Sequence, residues 1–216
     1  MSRALEAVTD ILGFDRVVNA GQASVLWGEV SHPESEVICY SEETLRRAAE
    51  ENGCGWDWNL VYLFDLSLDD MAGRRMVLPK GCLKIYDRTV FVETGDRWRN
   101  EKSSLPAGYY LLNLRCDLRD KTPAEQSALV EGRSVWWERG DDRMVLQALV
   151  SSFLAHDRNL MKGLAHRGPR MTKRGGHIVV GNFENHLFFT EMSEKRNEDV
   201  GVCILRKHDG LPDWIK

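Results

Sequence analysis

The run LVYLF at 60–64 is the longest wholly apolar stretch in the chain, and it lies inside a longer apolar segment, 58–66. A strand-length segment that is apolar on both faces has no side to turn to water, so it must be covered twice. That requirement predicts a central strand in a layered fold. The same run falls far short of the roughly 20 apolar residues that span a bilayer, which predicts no membrane partner.

Other segments follow the two-residue period of strands. Residues 83–92 read as a hairpin turning at Asp87 and Arg88, because pairing Ile85 with Val90 and Leu83 with Val92 puts all four on one face. Tyr110, Leu112, Leu114 and Cys116 alternate in a further strand. A second hairpin is predicted from 177–181 and 186–191, and 200–206 supplies a last strand.

Helices are marked by their ends. Leu5, Val8, Ile11 and Leu12 fall at helical spacing before Gly13. Ser41 can cap a second helix, with Glu42 and Glu43 against its positive end and Gly53 as its left-handed stop. Thr122, Pro123 and Glu125 form a capping box with proline at the first helical position, and Gly132 should close that helix. The longest helix is predicted over 142–161. Antiparallel-looking strands with helices between them predict an α+β fold with a mainly antiparallel sheet, two hairpins plus central strands, and about four packed helices. No Pro/Ser-rich linker or repeat divides the sequence, so the expectation is one domain over 1–216, with a weak seam near 53–57.

Familiar catalytic and cofactor signatures fail on inspection. Gly53 and Gly55 begin a dinucleotide fingerprint, but its third glycine is missing and a helix, not a strand, precedes it. Gly163 and Gly168 have P-loop spacing, yet Pro169 and Arg170 stand where lysine and a hydroxyl residue belong. There is no nucleophile elbow, zincin motif or EF-hand loop, and the five cysteines form no Cys-x-x-Cys pair. No metal or cofactor is therefore expected. The scattered cysteines and the lack of an apolar leader point to a reducing, cytoplasmic setting.

Charge placement is the strongest anomaly. Residues 158–183 carry six basic residues and no acid, so a net charge of −4 divides into +6 over 26 residues and −10 over the other 190. The basic residues are Arg158, Lys162, Arg167, Arg170, Lys173 and Arg174, with Gly163 and Gly168 among them and Gly175 and Gly176 directly after. A Gly-interrupted basic loop exposes N–H groups and guanidinium forks that suit oxyanions. The leading expectation is a non-enzymatic binding protein whose segment 158–174 contacts an anionic partner such as nucleic acid or another polyanion. The competing reading is a basic segment docked on the protein's own acidic surface.

Two further expectations stand beside it. Trp98 lies between Arg97 and Arg99, where it could stack on a base or sugar. Asp65, at the end of the apolar segment, could join Glu93, Asp96 and Arg97 in the carboxylate and arginine cluster of a hydrolase or transferase. Seven tryptophans also admit a structural or assembly protein that forms homo-oligomers through aromatic surfaces. Whether the chain is an enzyme stays open at this level.

Overall fold

A computed structural model describes residues 3–29, 31, 36–67, 70–71, 106–133, 135–171, 175–183, 186–192 and 195–209. The predicted hairpin at 83–92 lies outside them. The element order is α1 (Arg3–Leu12), a 3₁₀ turn (Phe14–Arg16), β1 (Val17–Val18), α2 (Ala20–Trp27), α3 (Glu42–Gly53), β2 (Trp58–Leu63) and β3 (Gly108–Asp117). Then follow α4 (Pro123–Glu131), β4 (Trp137–Arg139), α5 (Asp142–His156), β5 (Leu164–Met171), β6 (His177–Phe183), β7 (His186–Met192) and β8 (Val200–Arg206).

The strands form one sheet in the order β1-β2-β3-β8-β5-β6-β7, with β4 pairing β8 off that path. The α+β expectation is met, but the sheet is mixed. β1 runs parallel to β2 and β5 runs parallel to β8, whereas the other pairs are antiparallel. Two connections explain the difference. β1 is a two-residue strand too short to read from periodicity, and β5 occupies what reads as a loop in the sequence. Five helices are present among the described residues. The additional one, α2, carries its own signals: Asn19 and Gln22 form a capping box and Gly28 ends the helix in the left-handed region.

All six residues of β2 are buried, as a doubly covered strand requires. α3 and α5 both pack against it. α5 is the hub of the fold: residues 142–152 are all buried, and the helix touches β1, β2, β3, β5, β6 and β7. Gln147 behaves like a strand partner, accepting from the Phe64 N–H at 2.6 Å and donating to its carbonyl at 3.1 Å. Trp27 ties α2 to the same helix through Nε1 to Ser151 Oγ at 2.9 Å. The helix ends at His156 rather than near 161, because Asp157 takes a left-handed conformation and caps it. Likewise, Gly55 and not Gly53 takes the positive φ after α3.

Asn52 bonds both backbone groups of Trp58, so hydrogen bonds cross the expected seam near 53–57.

The feature that positions the site is a fork at β8. Its first residues pair with β5, Val200 with Ala165 and Gly201 with His166. Its last residues pair with β4, from Ile204 to Arg206. Between the two partners the sheet opens, and the N-terminus of α5 enters the gap. On the other edge of β8, β3 bulges between Asn113 and Asp117. Gly201 accommodates that bulge: a Cβ there would lie 2.3 Å from the Asp117 carbonyl oxygen.

No helix among the described residues is long and apolar enough to cross a membrane.

Candidate functional site

The basic segment is not a loop over most of its length. Residues 164–171 form β5, with Ala165, His166, Arg167 and Gly168 buried. Arg158 binds Asp57 at 2.8 Å and Asp15 at 3.5 Å, and its guanidinium also donates to Asn59. Arg167 is wholly buried and donates to the carbonyls of Lys121 and Lys195 and to Gln126 Oε1. Arg170 pairs with Asp141 at 3.3 Å. Lys162 is exposed, with no ion pair among the described residues. Lys173 and Arg174 lie outside the described residues, as do Glu93, Asp96, Arg97 and Trp98. Asp65 is half-buried beyond the end of β2, and its Oδ1 has no hydrogen-bond partner.

The structure instead brings charge together at the fork. The sequence GDDR at 140–143 follows β4 and starts α5. Asp141 caps the helix by accepting from the Arg143 N–H at 2.9 Å. The same carboxylate takes the Arg143 guanidinium on both oxygens, at 2.9 and 3.0 Å, and Arg170 on one of them. Burial pushes the Asp141 carboxyl above its ordinary value, against the pull of Arg170.

Asp142 is harder to place. It is wholly buried, and neither carboxyl oxygen has a hydrogen-bond partner among the described residues. Burial, then the neighbouring Asp141 charge, pushes its pKa well above the ordinary carboxylate value.

His166 spans the gap between the fork's two arms. The Cys203 N–H, at 2.9 Å, donates to Nδ1, so the proton must be on Nε2, which donates to the Gly140 carbonyl at 3.0 Å. Gly140 returns a bond from its N–H to the Cys203 carbonyl at 2.9 Å. The ring thus supplies bonds that a continuing strand would have made. Burial holds this histidine neutral, with its pKa pushed down to about 3.

A cleft of about 320 Å³ opens beside the fork, lined by residues of α4, β4, β5 and β6 and by Lys207. Arg139 reaches it from β4. Its guanidinium donates to Ser127 Oγ at 3.1 Å and approaches the Gly168 carbonyl at 3.5 Å. The same carbonyl faces His177 Nδ1 at 3.3 Å. No carboxylate lies within ion-pair distance of Arg139 among the described residues, and burial lowers its affinity for its proton. Among the described residues, Arg167 has only neutral acceptors, and Arg143 and Arg170 share the Asp141 carboxylate. Arg139 feels the Asp142 and Glu131 carboxyls at longer range but forms no ion pair among the described residues. An anion in the cleft would meet this guanidinium.

A larger groove of about 540 Å³ between α1 and α3 has the opposite character. Asp10, Glu42 and Glu50 line it, and its one arginine, Arg46, is paired with Glu42.

Aromatic residues stand behind the cleft. Trp56 stacks on Trp58 at 6.0 Å and contacts Trp137 at 5.3 Å, and Arg206 lies over Trp58. Trp136 is the exposed member, at 57%. The described residues include no group of three or more His, Cys, Asp or Glu side chains able to hold a metal ion.

Sequence reasoning missed Arg139, Asp141, Asp142 and His177 as a group. The available signal was a double acid and an arginine directly after a glycine, at the start of the longest helix. Comparison with protein-family models, curated proteins and solved structures found no match to this chain.

Proposed function

We propose that this chain is a binding protein for a small anion, received in the fork cleft by Arg139. The observation that carries the reading is a half-buried guanidinium that lines a cavity and has no ion-paired carboxylate among the described residues. A partly desolvated charge without an ion-pair partner is costly, and a bound anion would offset that cost through charge-assisted hydrogen bonds. Ser127 and the Gly168 carbonyl hold the guanidinium in place before any ligand arrives. That preorganisation lowers the cost of binding.

The anionic-partner expectation is thereby kept but moved from the 158–174 segment to the cleft that Pro169 borders. Arg158, Arg167 and Arg170 are engaged within the protein, Lys162 is exposed, and Lys173 and Arg174 lie outside the described residues. The catalytic reading around Asp65, Glu93, Asp96 and Arg97 gains no support, since only Asp65 falls among the described residues.

Thermal unfolding at constant ionic strength tests the proposal with acetate, benzoate, phenylacetate and inorganic phosphate on the wild type, Arg139→Gln and Arg139→Lys. At least one anion should raise the wild-type melting temperature more than that of either variant. Equal shifts in all three proteins, or none, would overturn it.

A further inference from the structure

Taking as given that the cleft accepts an anion at Arg139, we infer that the ligand is a small monocarboxylic acid with an apolar body, and not a phosphate ester. Charge comes first. Among the described residues of the cleft lining, Arg139 is the arginine or lysine without an ion pair, because Lys207 is engaged by Glu138 at 3.6 Å. Glu131 and Glu138 also line the cleft. One guanidinium neutralises one negative charge. A dianionic phosphate monoester would bring a second charge toward the Glu131 carboxylate, with no further unpaired cation among the described lining residues.

Shape and donors agree with this class. Val130, Pro169 and Trp137 give the wall an apolar surface. The volume of about 320 Å³ is at the small end of ligand cavities, which run to roughly 1,000 Å³. That suits a metabolite-sized acid. Trp137 and Arg139 are two residues apart on β4, so they share a face of the strand. A carboxylate presents two coplanar oxygens, which match the planar guanidinium fork of Arg139.

Calorimetric titration of the full chain near neutral pH compares phenylacetate, acetate and phenyl phosphate. Phenylacetate should bind at least tenfold more tightly than either of the others. Glu131→Gln, at an exposed position where folding is undisturbed, should narrow the gap between phenyl phosphate and phenylacetate several-fold. Phenyl phosphate matching phenylacetate would overturn the ligand class while leaving an anion site at Arg139. Acetate matching phenylacetate would overturn the apolar body. Binding of none of the three, with no effect of phosphate on unfolding, would remove the anion site itself.

Discussion

Asp142 Oδ1 fills the place that a side chain at residue 168 would need: a Cβ built on Gly168 would lie 1.6 Å from it. Helix α5 and strand β5 therefore approach so closely at the fork that one of the two positions must lack a side chain. Gly168→Ala should cost about 3 kcal/mol or more, as overpacking of a rigid interior does. Asp142→Ala removes a buried carboxyl that has no partner, so it should change stability by less than about 1 kcal/mol or raise it. The double variant should recover most of the Gly168→Ala loss in urea unfolding, a coupling that independent sites do not show. An undiminished loss in the double variant would contradict the contact.

Asp141 carries more of the structure than its neighbour. It caps α5 and compensates Arg143 and Arg170. Asp141→Ala should cost about 3 kcal/mol, because it removes both the α5 cap and the buried carboxylate that Arg143 and Arg170 share. Thr122→Ala, which removes the cap of α4 at the surface, should cost only about 1 kcal/mol. Chemical denaturation with matched slopes compares the two.

His166 makes stability depend on pH in a defined direction. The unfolded imidazole titrates near 6.5 and the folded one near 3, so between those values the unfolded chain holds the extra proton. Its contribution is complete above pH 6.5 and is lost as the pH falls toward 3, at up to about 1.4 kcal/mol per unit. Asp142 acts oppositely: its raised pKa favours the folded state at low pH, and that contribution fades as the pH rises through it. His166→Asn keeps an acceptor for the Cys203 N–H but has no imidazole to titrate. Its unfolding free energy between pH 6.5 and 4.5 should fall less steeply than that of the wild type. Identical slopes would show that His166 is not the group responsible.

Much of the fold was legible because its signals are local. The caps at Ser41 and Thr122, the alternation in β3 and the two-sided burial of β2 each depend on a few neighbouring residues. The β6–β7 hairpin was legible too, closing at Phe183 and His186. β5 was not, because its glycines, proline and arginines are loop residues by composition. It becomes a strand because it pairs with β6 along one edge and, through Ala165 and His166, with β8 on the other, across more than thirty residues of sequence. The charge anomaly in that segment was visible, but not its resolution. Arg158 and Arg170 find Asp57 and Asp141, which are remote in sequence, and the tertiary fold alone supplies those partners. Arg139 escaped notice for the converse reason. Nothing local distinguishes an arginine that finds a carboxylate from one that does not.

The most direct measurement follows the arginine side-chain N–H resonances by NMR during titration with phenylacetate. The account predicts that Arg139 Nε–H moves and saturates with the binding isotherm, while Arg158, held by Asp57 on its own surface, does not move. An unmoved Arg139 in a titration that binds ligand would contradict it.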